Sequence, residues 1–145
     1  MIQVLRFLFL IPTGFVLACF VASFALLWPF IDLPASASVD PFVWTELVFG
    51  FFAQATQVGT LALIPWGLFM VLTEALGQRS LILHAAAGLA GGFAAARIPP
   101  GAGSAALETA MIVAGLAFGL VYWIVAGHGA GSWRRRPTAL PPPQA

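Results

Sequence analysis

The polar side chains that could do chemistry in this 145-residue chain are few, and the deepest of them lie in one apolar stretch, residues 42–72. Helical spacing places Gln54, Gln57 and Thr60 on one side of that stretch. Their amide and hydroxyl groups could bind a substrate or a quinone, or could bond a neighbouring helix. We favour interhelical hydrogen bonding, because an amide facing lipid finds no partner. This side of the helix is therefore expected to face protein.

The two histidines are the other candidates for ligand binding. His84 and His128 are predicted near the same membrane surface, where a haem between two imidazoles is conceivable. Haem-binding bundles hold their ligands inside helices, whereas His128 lies in the glycine-rich segment 127–131, which we expect to be a flexible exit from the last helix. Two histidines without a nearby cysteine do not complete a tetrahedral metal site. We therefore expect no cofactor and no metal.

The sequence offers no recognisable catalytic constellation. It has no Ser/His/Asp or Cys/His arrangement, no phosphate-binding loop and no pair of carboxylates at a useful spacing. Its ionisable residues fall at the ends of the predicted spans, whereas transport of protons or cations usually needs one near the midplane. Arg97 and Glu108 are expected to form an ion pair across a short loop. These observations indicate that the protein is not an enzyme.

Composition decides the class of protein that must position these residues. The chain is 61% hydrophobic and 8% charged, which is more apolar surface than a soluble domain of this size can bury. We predict an all-α integral membrane bundle of four transmembrane helices at about 7–30, 42–73, 81–97 and 105–127, which together form one domain, 1–132. Residues 133–145 form a basic and then Pro-rich tail, expected to be disordered.

Glycine spacing predicts how two of these helices pack. Gly88 and Gly92 share a face of the third helix, and Gly115 and Gly119 share a face of the fourth. Small residues four apart let membrane helices approach closely, so these faces are predicted to dock against each other. The third helix, made mostly of alanine and glycine, is expected to be the most enclosed. The long second helix is expected to be the element around which the others are arranged.

Two processing sites compete with the assignment of the first helix. Residues 16–19 (VLAC) resemble a lipoprotein cleavage box, but the sequence after Cys19 stays apolar where a polar tether is expected. Ala35-Ser36-Ala37 has the A-x-A pattern of a signal-peptidase site, yet the preceding apolar run is about twice as long as a signal-peptide core. We favour an uncleaved first transmembrane helix.

The arginines predict the orientation. Arg6, Arg79 and Arg134 to Arg136 fall on one side of a four-helix arrangement and Arg97 falls on the other, so the positive-inside rule places both termini in the cytoplasm. The lysine-free, alanine- and glycine-rich composition is typical of a GC-rich bacterial genome, which indicates a multi-pass protein of the bacterial inner membrane. No clustered basic face indicates a nucleic-acid partner.

These features leave three functional hypotheses. The leading one is a non-enzymatic accessory, assembly or structural component that packs in the lipid bilayer with itself or with a larger membrane complex. The alternative is a small transporter or channel-like protein that uses the polar side of the second helix. The most distant is a haem- or quinone-binding membrane subunit.

Overall fold

The computed structural model describes residues 6–31, 41–98 and 104–131, and every regular element in these ranges is helical. Helix α1 (Ile11–Leu27) follows a π-helical turn (Arg6–Leu10) and leads into a 3₁₀ turn (Trp28–Phe30). It is followed by α2 (Pro41–Leu76), α3 (Leu81–Arg97), α4 (Ala105–Val125) and a 3₁₀ turn (Gly127–Gly129). The predicted all-α class with four helices is thus confirmed.

Three helical segments are long and apolar enough to cross a membrane: Leu8–Phe30, Pro41–Leu76 and Ala105–Val125. Helix α3 has 17 residues. It is therefore about 25 Å long, shorter than the roughly 30 Å hydrocarbon core of a bilayer. Of the four predicted spans, three meet the criterion of length and composition, and α3 is a short apolar helix beside them. The predicted tail, the A-x-A site at 35–37 and Arg134 to Arg136 lie outside the described residues.

Local signals set the boundaries of these helices. At the end of α2, Gly77 adopts a φ of +67°, which glycine reaches without steric cost. Its N–H and that of Gln78 donate to the carbonyls of Glu74 (3.3 Å) and Thr73 (2.9 Å), the bonds of a Schellman motif. Ser80 then caps α3 by accepting the Leu83 N–H. The turn predicted between the second and third helices is therefore fixed by backbone chemistry.

The core lies between α1, α2 and α4. Small residues of α1, among them Ala18 and Ala22, let α4 approach closely, and Phe118 and Tyr122 of α4 fill the space toward α2. The Trp66 ring of α2 meets Phe118 edge-on at 4.8 Å and Tyr122 at 5.5 Å between centroids. Aromatic pairs of this geometry each add about 0.5–1.5 kcal/mol beyond the burial of their area. Helices α1 and α3 therefore pack directly against α4, whereas α2 packs against α1 and reaches α4 through the Trp66 ring.

Two expectations about the helices are wrong. Helix α2 lies at the edge of the molecule: only 6% of its most apolar window is buried, against 28% for the windows in the α1 segment and α4. Helix α3 is also not the most enclosed, since it buries only three residues, His84, Gly88 and Gly92, and packs mainly against α4. Hydrophobicity alone could not predict which helices are most buried, because a lipid-facing and a protein-facing helix are equally apolar.

Candidate functional site

The four glycines predicted to pack the third and fourth helices lie together. A Cβ added to Gly88 would meet the carbonyl oxygen of Gly115, and a Cβ on Gly119 would meet that of His84. At Gly92 a Cβ would lie 3.0 Å from the Cα of Ile112. These helices touch through their backbones, which leaves no room for side chains. By contrast, Gly91, on the other side of α3, has nothing within 4 Å of an added Cβ.

Arg97 and Glu108 pair at the far end of the same two helices. The Arg97 Nη2 donates to Glu108 Oε1 at 2.7 Å, with the side chains 62% and 38% exposed. The Arg97 guanidinium also lies 4.6 Å from the Phe93 ring centroid. An ion pair this exposed contributes at most about 1 kcal/mol. Its geometry, across the connection between α3 and α4, is that of a structural contact.

His84 packs between Phe69 and Tyr122, at 5.1 Å and 5.9 Å between ring centroids, and has no exposed surface. Its Nδ1 donates to the Ser80 carbonyl at 2.9 Å, so Nε2 is the lone-pair nitrogen of the neutral ring. Nε2 and the buried Trp66 Nε1 have no hydrogen-bond partner among the described residues. Gly127 lies close to this nitrogen, since a Cβ added to the glycine would be 2.9 Å from His84 Nε2. The backbone at Gly127 therefore occupies the space in which a haem iron would have to bind Nε2.

His128 is placed differently from His84. It is exposed, in the 3₁₀ turn after α4, and its Nδ1 lies 3.3 Å from the Trp123 carbonyl. The closed packing around His84 argues against a haem between the two rings. Among the described residues, no group of three or more His, Cys, Asp or Glu is placed to hold a metal ion. The two histidines therefore lie in different surroundings, one enclosed and one exposed.

A network that the sequence did not predict joins the α2–α3 turn to the end of α4. We call it the turn network: Glu74, Arg79, Trp123, Ala130 and Gly131. The Gly131 N–H donates to the buried Glu74 Oε2 at 2.8 Å, and Arg79 Nε donates to the Ala130 carbonyl at 2.6 Å. Trp123 Nε1 donates to the Arg79 carbonyl at 2.7 Å. The bond from Arg79 involves a charged guanidinium, which makes it stronger than a neutral hydrogen bond.

This network corrects the expectation that residues 127–131 form a flexible exit. Gly127 is part of a 3₁₀ turn, and Ala130 and Gly131 are buried. Gly131 has a φ of +67°, and a Cβ added there would lie 2.5 Å from the Cα of Gly77. The glycines of residues 127–131 therefore permit close packing of this turn against the α2–α3 turn. The polar side chains of Glu74 and Trp123 are visible in the sequence. Their partners could not be predicted, because these are backbone atoms more than 40 residues away.

The polar side of α2 is placed opposite to expectation. Gln57 and Thr60 are exposed, and Gln54 is half-buried. Thr60 donates its hydroxyl hydrogen to the Thr56 carbonyl of its own helix at 2.8 Å, and the Gln57 side chain makes no hydrogen bond within the described residues. The predicted interhelical hydrogen bonds are thus absent among these residues. The reason is that Trp66 and its neighbours, which bury more apolar area, take the inward face of α2.

The uncovered side of α2 has a regular composition. We call it the uncovered stripe. Its members follow one another at alternating intervals of four and three residues, and all are exposed except the half-buried Gly67. They are Glu46, Gly50, Ala53, Gln57, Thr60, Ile64, Gly67 and Val71. Ile64 is 74% exposed, and added Cβ atoms on Gly50 and Gly67 would meet nothing within 4 Å. The stripe thus has small residues at four of its eight positions, Gly50, Ala53, Thr60 and Gly67, and an amide near its centre.

The spacing of the stripe matches the seam of a coiled coil. Alternating steps of four and three residues define the a and d positions of a heptad, the positions that meet a partner helix. As far as Phe69, the residues of α2 that contact the rest of the chain lie on the opposite side of the same helix, at b, c and f positions, and include Ala55, Val58, Gly59, Ala62, Trp66 and Phe69. Beyond Phe69, Met70 at a g position, Thr73 at a c position and Glu74 at a d position also make contacts or are buried. The contacting side and the uncovered stripe are therefore separate surfaces.

A shallow apolar groove lies between the end of α1 and the start of α4. Its volume is about 400 Å³, and its lining includes Pro29, Ala106 and Val113. Thr109 is the polar side chain in the lining, and its hydroxyl donates to the Ala105 carbonyl at 2.8 Å. None of the described residues that line the groove carries a titratable side chain.

Comparisons with known proteins add no functional information. No protein-family model, no curated protein and no solved structure matches this chain.

Proposed function

We propose that this protein is a multi-pass component of the bacterial inner membrane, with both termini in the cytoplasm, that acts by packing against other membrane protein and has no enzymatic activity. The observation that carries the proposal is the exposed Gln57 amide at the middle of α2. An amide without a hydrogen-bond partner in an apolar medium costs about 2–7 kcal/mol. Coverage by protein removes this cost, whereas coverage by lipid does not.

Further support comes from the composition of the same surface. A lipid-facing surface has no need of glycine, whereas small residues at a helix interface permit close backbone approach. Gly50 and Gly67 lie on either side of Gln57, with open space over both. The rest of the chain uses glycine in this way between α3 and α4. We infer that the uncovered stripe is a second packing surface of the same kind, directed away from the chain itself.

Photo-crosslinking in native membranes tests this proposal. A photoreactive residue at position 57 is expected to yield protein adducts, because the stripe is covered by protein. The matched control is position 113, a mid-helix residue of α4 that is 48% exposed and lies off the stripe; it is expected to yield lipid adducts. Identical lipid-only adducts at both positions would overturn the proposal.

The transporter hypothesis is separated from packing by a different reagent. Helix α2 turns its polar side away from the bundle, and Trp66, Phe118 and Tyr122 fill the interior beside it. A solute path along the stripe would therefore need several copies around it. A cysteine at position 57, in a chain with Cys19→Ala, is expected to stay unreactive toward water-soluble thiol reagents. Rapid labelling would favour a water-filled path.

A further inference from the structure

We propose that the uncovered stripe binds a second copy of this chain, so that two α2 helices pair in parallel about a twofold axis along the membrane normal. This inference rests on the proposed function and names its partner. It starts from the geometry of the part of the stripe that follows Glu46, from Gly50 to Val71. At the helical rise this is about 32 Å, the full thickness of the hydrocarbon core.

The chemistry of Gln57 indicates that the partner of the stripe is a second copy of the chain. Copies inserted with the same topology have parallel α2 helices, so a symmetric pair brings each a or d residue against its own equivalent. A glutamine amide carries both an acceptor oxygen and two N–H donors. Two Gln57 side chains can therefore bond each other and satisfy what neither satisfies alone. A different partner would have to supply a matching polar group at the same depth.

The remaining members of the stripe are compatible with self-pairing. Ala53, Thr60 and Gly67 occupy successive d positions, and none has a large side chain to hold the helices apart. Thr60 already uses its hydroxyl proton within α2, so it brings no unpaired donor to the seam. The two Glu46 carboxylates would lie about 16 Å along the helix from Gln57. That is the headgroup level, where water and salt screen their repulsion.

The pairing also leaves the fold of each copy unchanged. The contacts that hold α2 to its own chain lie on its opposite side, through Trp66 and Phe69. Substitutions on the stripe therefore alter association without removing these contacts between α2 and the other described helices; Thr60→Leu removes only a bond within α2. A polar a-position residue is known to fix the register of paired helices, which is the role we infer for Gln57.

Disulfide trapping of the full-length protein in vesicles tests the proposal. Single cysteines are placed in a Cys19→Ala chain at positions 53, 57, 60 and 67, and at the control positions 63 and 113. A disulfide requires Cα atoms within about 7 Å. We expect covalent dimers at the four stripe positions and none at Leu63 and Val113, which are exposed but off the stripe. Equal dimer formation at all six positions would mean random collision and would overturn the pairing.

A matched pair of substitutions measures the association. Thr56 and Thr60 are both exposed, and each donates to the carbonyl four residues earlier, but only Thr60 lies on the stripe. Thr60→Leu should weaken dimerisation, whereas Thr56→Leu should leave it unchanged. Gln57→Leu should weaken it about 3- to 20-fold, from the value of an interhelical hydrogen bond in a membrane. Unchanged association of both Thr60→Leu and Gln57→Leu would exclude this seam.

The outcomes distinguish this inference from the proposed function. Absence of dimers in vesicles, together with a protein adduct at position 57 in native membranes, would show that another protein covers the stripe. That result overturns self-pairing and keeps the packing function. Absence of dimers together with lipid-only adducts overturns both.

Discussion

Glu74 shows how one side chain can hold two distant turns. Its carboxylate is buried and accepts the Gly131 N–H, so the Glu74→Ala variant leaves that buried donor without this partner. The expected cost is about 1–3 kcal/mol of unfolding free energy. Glu74→Gln keeps an acceptor oxygen and should cost less. Thermal unfolding in detergent, with limited proteolysis at the C-terminal side of α4, measures both; equal stability of Glu74→Ala and wild type would contradict this role.

Gly127 is a second residue whose identity is explained by its neighbours. A Cβ at this position would lie 2.9 Å from His84 Nε2 and 3.2 Å from Trp123 Cδ1. The Trp123 ring is held by the turn network, and the His84 ring is held by its bond to the Ser80 carbonyl. Gly127→Ala should therefore destabilise the protein by about 1–3 kcal/mol. Gly91→Ala is the matched control, because an added Cβ there meets open space. Unfolding midpoints that shift equally for the two variants would refute the steric argument.

At the scale of the elements, α3 and α4 depend on backbone contact. Gly115→Leu or Gly119→Leu would force a side chain into the carbonyls of Gly88 or His84 and push the helices apart. Little compensates, because membrane helices associate through van der Waals contact and hydrogen bonds. Both variants should accumulate less and be cleaved faster by protease, whereas Gly91→Leu should behave as wild type. Normal accumulation of the α4 variants would mean that this helix pair is not required for folding.

For the whole molecule, the orientation is the prediction with the clearest readout. The excess of arginine on one side predicts that a reporter fused after Ala145 is active only if it is a cytoplasmic enzyme. The same experiment tests whether α3 crosses the membrane, because three helical segments are long enough to span it and α3 is shorter. If α3 does not cross, the two ends of α4 exchange sides. A periplasm-active reporter that works after Ala145 would then be observed, and the cytoplasmic assignment of the C-terminus would be wrong.

The sequence by itself determined what depends on local chemistry. Apolar length, Gly77 and Ser80 at the α2–α3 turn, and the periodic glycines of α3 and α4 each act within a few residues of the chain. Helices, their boundaries and the small faces available for packing could therefore be predicted. An ion pair between Arg97 and Glu108 could be predicted for the same reason, since the connection that joins them is short.

Only the tertiary structure decided which faces are used. Both sides of α2 could have packed inward by hydrophobicity, and the aromatic side with Trp66 was chosen because it fills the space beside Phe118 and Tyr122. That choice left Gln57 uncovered. The turn network was equally hidden, because Glu74 and Arg79 bond backbone atoms, and a backbone atom carries no sequence signal. Local patterns specify elements, whereas the competition between surfaces for one core is settled only when all elements are present.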